Sequence, residues 1–275
     1  MSATAPKTET ARQVALVTAG SAGLGAAAAR LFAANGMRVV VNYFHNKERA
    51  EALLAELLEI ERQTWNQQPR ETGGSSSSSQ LPPNFLILRA DLASRDQVRT
   101  LVDDTVSAMG RLDAVFSNQG WTQIRDWTSL DDSAVEDDWD RCFNMNVKSH
   151  LWLLQAAKKH LEETEGCMVV TSSLAGIRPG GSSLAYSVTK AALNHLVKGL
   201  AVIAAPKIRV NAVCPGLMLT EWGLKFPQEI QDKNIAQTKL KRVVTPEETA
   251  EQVLCFVKSR GVTGVNAIID AGWSL

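Results

Sequence analysis

The sequence predicts a doubly wound α/β fold, in which a parallel sheet of seven strands carries helices on both faces. Three observations lead to this prediction. Short apolar runs rich in β-branched residues alternate with helical stretches along nearly the whole chain. Polar or glycine-rich motifs follow most of these runs, and ligands bind at the carboxyl ends of strands in such sheets. The length of 275 residues allows one large domain with an ample core.

The first half of the chain contains four of the strands. Residues 1–12 are polar and predict a disordered leader before a single domain of residues 13–275. QVALVT is the first strand, and the alanine-rich run after AGSAGLG predicts a helix that ends at Gly36. MRVVVNY, FLILRAD and LDAVFSNQG are the next strands. The helices between them are the amphipathic KERAEALLAELLEIERQ and one with Ser94 as N-cap and Gly110 at its end.

Residues 63–84 interrupt this alternation. The segment QTWNQQPRETGGSSSSSQLPPN is polar and rich in glycine, serine and proline. Such a composition cannot bury enough apolar surface to order itself. We therefore expect a flexible insertion between a helix and the next strand, and not a domain boundary.

The second half supplies the strands CMVVTSS, KIRVNAVCPG and NAIIDAGW. A helical pattern precedes them over residues 133–163, long enough for two helices or one kinked helix. Another helix follows CMVVTSS, and residues 217–244 have an irregular pattern. Thr245, Pro246 and Glu248 have the spacing of a capping box and predict the start of the last helix. This alternation produces right-handed βαβ units and a parallel sheet covered on both faces.

Composition argues against several classes of function. Lysine plus arginine and aspartate plus glutamate number 29 each, so no net field favours nucleic acid or an anionic membrane. The start, MSATAPKTETARQ, lacks the apolar core of a signal peptide, and no apolar run has the length of a membrane span. We therefore expect a cytoplasmic protein. The cysteines and histidines lack the spacing of a metal site, and the cysteines are expected to be reduced packing residues.

The stretch SSLAGIRPGGSSLAYSVTK contains the residues best suited to chemistry. Tyr186 and Lys190 are four apart and share one face of a helix. Ser173 ends a strand, so a loop and a helix start can bring it into the same pocket. A nearby ammonium lowers the pKa of a phenol from its usual value of about 10, and a serine hydroxyl can hold a substrate oxygen beside it. Taken alone, however, Y-x-x-x-K is more often a surface pair.

The turn after the first strand contains Gly20, Gly23 and Gly25. Glycines at this point let the backbone approach a pyrophosphate, and the N-terminus of the following helix favours its charge. The spacing differs from G-x-G-x-x-G. Its place after the first strand of a βαβ series nevertheless favours a dinucleotide site.

Together these motifs resemble the short-chain dehydrogenases/reductases, from Val14 to the C-terminus except residues 63–84. TAGSAGLG is similar to the family's T-G-x-x-x-G-x-G, although Ala19 stands where glycine is usual, and we expect a slightly altered turn there. SNQG is similar to N-N-A-G, with Gln119 in place of a small residue. The resemblance implies a Rossmann-type fold and a catalytic tetrad of Asn146, Ser173, Tyr186 and Lys190.

The resemblance also implies a role for each member of the tetrad. Tyr186 is the general acid in reduction and the base in oxidation, and Ser173 orients the carbonyl or alcohol oxygen. Lys190 lowers the pKa of the tyrosine and binds the nicotinamide ribose, while Asn146 holds a water that links Lys190 to solvent. The implied cofactor contacts are Gly20, Ser21, Gly23, Leu24, Gly25, Tyr43, Asp91, Leu92, Asn118, Gly120, Tyr186, Lys190, Pro215, Gly216, Met218 and Thr220.

We expect a NAD(P)-dependent oxidoreductase that interconverts a ketone and a secondary alcohol and that needs no metal. Two alternatives stay open. One is an epimerase or dehydratase on the same fold, although the usual family forms carry an added substrate domain for which this chain has no room. The other is a non-catalytic dinucleotide sensor or interaction protein, although such proteins can lose the tyrosine or lysine that this chain retains.

NADP(H) is the expected cofactor, with NAD(H) possible. The second strand ends VVVNYFHNK, so Tyr43 stands where the family's aspartate would repel a 2′-phosphate. No carboxylate occurs between Tyr43 and Glu48. His45, Lys47 and the hydroxyl of Ser21 are the candidate phosphate partners.

No motif in the sequence predicts the identity of the substrate. It depends on residues 121–128, 177–184 and 217–240. Arg178 can meet an anionic or polar substrate group, although a solvated loop arginine is the commoner case, and His195 is expected to pack within its helix. An apolar substrate pocket or plain packing explains four aromatic residues equally well: Trp121, Trp127, Trp222 and Phe226.

We also expect a homo-oligomer, a tetramer or a dimer. The helices at 134–163 and 184–205 carry apolar residues on more than one face, for example Leu151 and Leu154. Because one face covers the sheet, another needs a partner. The family resemblance indicates the same two helices as the interface.

Overall fold

The computed structural model describes residues 12–65 and 83–275. Nearly all of the predicted leader and most of the predicted insertion 63–84 lie outside these ranges. Within the described residues, seven strands form one parallel sheet in the order β3-β2-β1-β4-β5-β6-β7. The predicted doubly wound α/β fold is therefore confirmed.

The strands follow the predicted apolar runs. They are β1 (Val14–Val17), β2 (Arg38–Tyr43), β3 (Phe85–Arg89), β4 (Ala114–Ser117), β5 (Cys167–Thr171), β6 (Arg209–Pro215) and β7 (Asn266–Ile269). β1 pairs with β2 on one side and with β4 on the other. The direction of winding reverses between β1 and β4, so the carboxyl ends of these strands form the crevice where such sheets bind ligands.

The helices of the described residues cover both faces of the sheet. They are α1 (Gly23–Ala34), α2 (Lys47–Trp65), α3 (Arg95–Met109), α4 (Leu130–Ser133), α5 (Glu136–Phe143), α6 (Ser149–Thr164), α7 (Leu184–Ala204), α8 (Gln228–Gln237) and α9 (Pro246–Lys258). Ser94 caps α3, Gly110 ends it in the left-handed conformation, and Thr245 and Glu248 form the predicted capping box. α2 continues to Trp65, beyond the residue at which the insertion was predicted to begin.

Two apolar layers hold the helices against the sheet. Leu16 faces the layer built with α3, α6 and α7, while the next residue, Val17, faces the layer built with α1, α2 and α9. Successive residues of a strand point to opposite faces, so a sheet buried on both sides needs continuous apolar runs. This explains why the strand sequences do not alternate between apolar and polar residues.

Of the two stretches with a less definite prediction, the first agrees with it and the second differs. Residues 133–163 contain α5 and α6, joined without a break by a π-helical turn at Asn144–Lys148. Residues 217–244 were predicted to be irregular, but they contain a 3₁₀ turn at Gly223–Lys225 and the helix α8. The prediction missed α8 because this helix has no apolar stripe, and its one buried residue is Gln231.

Within the described ranges, no helix combines the length and the apolar character that a membrane span requires. Cys142, Cys167 and Cys214 are free and buried, as expected of packing residues, whereas Cys255 is free and exposed.

Candidate active site

Two asparagines hold the backbone of the glycine-rich loop between β1 and α1. The side-chain oxygen of Asn42 accepts a hydrogen bond from the backbone amide of Ala19 at 3.1 Å. The side-chain amide of Asn118 donates to the carbonyl of Ala19 at 3.2 Å. Ala19 adopts φ 45°, so it holds the left-handed turn that suits glycine, at a cost of roughly 1 kcal/mol. The sequence analysis missed Asn42, although a polar residue in the buried run VVVNY was a usable signal.

The same loop has room for a diphosphate. A side chain at Gly25 would lie 2.6 Å from the carbonyl oxygen of Ala19, and Gly23 adopts φ +49°, so both positions require glycine. α1 begins at Gly23 and has no acidic residue in its first turn. Its N-terminus therefore keeps the positive field that attracts a phosphate.

A cleft of about 760 Å³ opens at the carboxyl ends of β1, β4, β5 and β6. The catalytic candidates Ser173, Tyr186 and Lys190 line it. The predicted cofactor contacts that line it besides Tyr186 and Lys190 are Gly23, Leu24, Asn118, Gly120, Pro215, Gly216, Met218 and Thr220. The predicted residues outside its lining are Gly20, Ser21, Gly25, Tyr43, Asp91, Leu92 and Asn146.

The residues predicted for the adenosine end lie beside this cleft, at the ends of β2 and β3. Tyr43 is buried as the last residue of β2, and Asp91 follows β3. The Asp91 carboxylate accepts a hydrogen bond from the amide of Ala93 at 2.9 Å. Lys47, a candidate phosphate partner, is exposed and pairs with Glu51 at 3.1 Å.

The catalytic candidates come from a strand end and the first turns of one helix. Ser173 follows β5, and its hydroxyl accepts the backbone amide of Ala175 at 3.1 Å and acts to lower the pKa of the nearby Tyr186. Ser183 caps α7 by accepting the amide of Tyr186 at 3.2 Å, which fixes the start of the helix. Lys190 lies one turn further on and donates from Nζ to the carbonyl of Thr171 at 2.8 Å. The structure thus brings the serine, the tyrosine and the lysine into one pocket.

The predicted effect of Lys190 on the pKa of Tyr186 is not found in this structure. Burial raises the pKa of Tyr186, and the hydrogen bond from Ser173 only partly offsets that rise. Burial also lowers the pKa of Lys190 to about 8. The ammonium lies 5.6 Å from the centre of the tyrosine ring and gives its hydrogen bond to the carbonyl of Thr171 rather than to the phenol. At neutral pH the phenol therefore keeps its proton.

Asn146 lies in the π-helical turn, behind the wall of the cleft. Its side chain accepts the amide of Trp121 at 2.7 Å and donates to the carbonyl of Trp121 at 2.9 Å and to Thr189 at 3.0 Å. A side chain at Gly120 would lie 3.5 Å from Oδ1 of Asn146 and 3.7 Å from Nζ of Lys190. Asn146 therefore fixes the loop after β4, close to the lysine. The π-helical turn places the side chain of Asn146 at this loop.

Gln119, the residue that departs from N-N-A-G, is accommodated in a buried polar cluster. Its side chain accepts the hydroxyl of Thr18 at 2.6 Å and donates to that of Ser149 at 2.9 Å. Ser117 hydrogen-bonds Nδ1 of His150 at 2.6 Å in the same cluster. Burial holds the pKa of His150 well below its ordinary value, so the imidazole is neutral. The side chain of Gln119 thus connects the end of β1 to the start of α6 at the cleft.

Three of the four aromatic candidates, Trp121, Trp222 and Phe226, line the cleft, and so does Arg178. Trp127 does not, because its indole donates to the carbonyl of Gly181 at 2.9 Å and the side chain lies largely on the surface.

Some residues of this region were misplaced or missed by the sequence analysis. His195 is exposed on α7 and not packed as predicted. The missed residues include Trp273 near the C-terminus and the ion pair between Arg49 on α2 and Glu221, at 2.5 Å, all of which line the cleft. No sequence motif surrounds these residues, so only the folded structure shows that they line the cleft.

The fold and the cleft together have the arrangement of a protein that binds a dinucleotide at the carboxyl ends of its strands. Two family models match overlapping parts of the chain, short chain dehydrogenase over residues 13–70 and Enoyl-(Acyl carrier protein) reductase over residues 63–274, so the protein is an oxidoreductase of the kind that uses NAD(P). The chain belongs to the short-chain dehydrogenase/reductase family.

Individual relatives agree with this assignment. A protein of Streptomyces violaceoruber, provisionally named ketoacyl reductase 2 of the granaticin polyketide synthase, is 34% identical over 94% of this chain and 95% of its own length. Cis-1,2-dihydrobenzene-1,2-diol dehydrogenase of Pseudomonas putida is 31% identical over 91% of this chain and 86% of its own length. A short chain dehydrogenase of Burkholderia cenocepacia, crystallised with NADP, has 30% identity and a TM-score of 0.81, with 96% of this chain and 98% of that chain covered.

Proposed function

We propose that this protein interconverts a ketone and a secondary alcohol, with Tyr186 as the proton donor and acceptor. The observation that carries the proposal is the arrangement of Ser173, Tyr186 and Lys190, which line one cleft next to the glycine-rich loop. The nicotinamide cofactor supplies or accepts the hydride. The protein has to hold the carbonyl oxygen and transfer one proton to it.

The burial of Tyr186 favours the direction of reduction. Burial raises the pKa of the phenol and keeps it protonated at neutral pH, so it can donate to the oxygen of a reacting carbonyl. Ser173 lines the same cleft, and its hydroxyl would hold that oxygen in place. Lys190 would bind the ribose of the cofactor, and its charge would stabilise the phenolate that is left after proton transfer. Asn146 positions the loop that ends in Trp121.

The residues present fit a phosphorylated dinucleotide. The loop glycines and the uncompensated N-terminus of α1 suit its diphosphate. Tyr43 replaces the acid that would reject a 2′-phosphate, so we propose a preference for NADP(H). A relative crystallised with NADP supports this choice. A kcat/KM higher with NADH than with NADPH on one substrate would contradict it.

We further propose that the protein is a homo-oligomer that associates through α6 and α7. Val202 and Ile203, near the end of α7, are 78% and 76% exposed, and Leu151 on α6 is exposed as well. Apolar surface of this kind on two helices that pack in the same layer against the sheet favours a partner. We expect a dimer or tetramer in sedimentation velocity at micromolar concentration, and a monomer would refute the proposal.

The reaction is tested by following NADPH oxidation with a panel of ketones and quinones. An enoyl thioester belongs in the same panel, because one matching family model is described as an enoyl reductase. We expect turnover with at least one ketone and formation of the corresponding alcohol. Reduction of the enoyl thioester alone, or NADPH binding without any turnover, would reject the proposal in favour of a different reaction or a non-catalytic role.

A further inference from the structure

The cleft has aromatic side chains in its walls. Trp121, Trp222, Phe226 and Trp273 come from four separate positions in the sequence and line the same cavity. Flat side chains around one space favour a flat apolar ligand, because rings stack with little loss of conformational freedom. An open-chain substrate would leave much of this surface in contact with water.

Two of these rings are held by cations. The guanidinium of Arg141 lies 4.3 Å from the ring centre of Trp121, and the ammonium of Lys225 lies 4.1 Å from that of Trp222. Such contacts restrict the rotamers of the indoles before a ligand arrives. The walls are therefore partly ordered in advance, which lowers the entropic cost of binding.

Trp273 is fixed by the C-terminal turn. The Asp270 carboxylate accepts the amides of Gly272 at 2.8 Å and Ser274 at 2.7 Å, and the indole of Trp273 hydrogen-bonds Gln237 on α8. The last residues of the chain thus contribute a rigid wall to the cleft.

Arg178 is a cation of the cleft that is available to a ligand. Its amide donates to the carbonyl of Leu174 at 3.1 Å, so its backbone is anchored just after Ser173. Its guanidinium lies 5.4 Å from the ring centre of Trp273 and lines the cleft. Among the described residues it takes part in no ion pair, whereas Arg49, which also lines the cleft, is paired with Glu221.

We propose that the substrate is an aromatic or fused-ring ketone that carries a carboxylate, and that Arg178 binds this carboxylate. This deepens the proposed function and rests on it. A guanidinium presents a planar fork that matches a carboxylate, and the cation–π contact with Trp273 keeps it beside the cleft. The ring system of the substrate lies between the aromatic walls, and its ketone reaches Tyr186. Arg178 thereby determines specificity and takes no part in proton transfer.

The proposal is tested with pairs of aryl ketones that differ only in charge. 4-Acetylbenzoate and 6-acetyl-2-naphthoate, each beside its methyl ester, are compared by kcat/KM with NADPH. We expect the native enzyme to prefer the acids. Arg178→Gln should lose roughly tenfold or more in kcat/KM for the acids, mostly through KM, while the esters change less than about twofold. Arg178→Lys should recover part of the loss.

Arg99→Gln is the matched control, because Arg99 is an exposed arginine on α3 that does not line the cleft. It should leave both acid and ester kinetics unchanged. Equal kinetics for acid and ester in the native enzyme, or equal losses for both in Arg178→Gln, would overturn the proposal.

A binding measurement separates this proposal from the proposed function. Quenching of tryptophan fluorescence by 6-acetyl-2-naphthoate in the presence of NADP⁺ reports binding without turnover. Binding that is weakened by Arg178→Gln, with no reduction of any ketone, would reject the reaction and support the carboxylate site. Turnover of uncharged ketones with no binding of the acids would reject the carboxylate site and support the reaction.

Discussion

The floor of the cleft and the segment of residues 217–240 that covers it are built in opposite ways. On the floor, Lys190 is 2% exposed and Asn146 is fully buried, and both are held by hydrogen bonds to backbone groups. In the covering segment, Trp222 is 44% and Leu219 42% exposed, and both line the cleft. The groups proposed for the chemistry are therefore fixed by a buried network, whereas the groups that would meet the substrate lie on a surface.

This difference separates reaction from specificity. A buried polar network tolerates little change, because each lost partner leaves a polar group unsatisfied. A surface segment can change its side chains at little cost in stability. We infer that proton transfer depends on the floor and that substrate choice depends on the cover, and the following predictions test that division.

The largest effect is expected at Tyr186. Tyr186→Phe removes one hydroxyl and leaves the ring in place, so NADPH should still bind while kcat falls on the order of 10²-fold or more. The measurements are steady-state turnover of a ketone and NADPH binding by fluorescence. Turnover close to that of the native enzyme would show that the proton comes from another group and would remove the main role assigned to the floor.

The pH dependence of reduction should report Lys190. Its pKa is lowered to about 8, so the ammonium is present below that pH and is lost above it. The pKa of Tyr186 is raised, so the phenol stays protonated through the same range. The kcat/KM for reduction should be constant below pH 7 and fall above about pH 8, towards tenfold per pH unit.

Lys198 provides the control for this profile, because it is exposed on the same helix α7. Lys198→Gln should leave the profile unchanged. A native profile that is flat to pH 10 would show that the charge of Lys190 does not matter for the reaction.

The same division explains what the sequence could predict. The glycine loop, Ser173, Tyr186 and Lys190 were predictable because their chemistry requires particular residue types at fixed spacings after strand ends. The seven strands were predictable because a sheet buried on both faces needs continuous apolar runs. The main difference from prediction on the floor is the pKa of Tyr186. The sequence analysis expected Lys190 to lower this pKa, whereas burial raises it.

The covering segment could not be predicted in the same way. α8 carries no apolar stripe, and Trp273 reaches the cleft from the C-terminus through a turn that no motif marks. Asn42 and Gln119 belong to the floor and stand out in their motifs as polar residues, but their hydrogen bonds connect residues far apart in sequence, so spacing does not indicate the partners. Local patterns thus reveal elements and motifs, whereas contacts between distant segments need the structure.

A moderate effect is expected at Trp222 in the covering segment. Trp222→Ala removes an aromatic wall that is only half-buried, so the loss should be about 1 kcal/mol, or roughly fivefold. It should appear as a higher KM for an aromatic ketone with little change in kcat. The reason is that the bound substrate and the transition state lose the same binding energy. A fall in kcat as large as that of Tyr186→Phe would contradict the separation of floor and cover.

The smallest effect concerns stability and compares two strained residues, one next to each region. Ala19, in the glycine-rich loop beside the floor, and Lys241, just after the covering segment, both have positive φ, 45° and 56°. Ala19→Gly should relieve a left-handed conformation that costs about 1–2 kcal/mol, less the greater flexibility of glycine in the unfolded chain. The expected gain is about 0.5–1 kcal/mol, with a rise of a few degrees in Tm.

Lys241→Gly relieves similar strain but removes the hydrogen bond from Nζ to the carbonyl of Ala236 at 2.8 Å. In addition, a surface segment can open before the rest of the protein unfolds, and strain relieved there adds little to the cooperative transition. We therefore expect a smaller gain from Lys241→Gly than from Ala19→Gly in thermal and urea unfolding. Equal gains would show that the covering segment unfolds together with the floor, and the two regions would then differ in chemistry but not in stability.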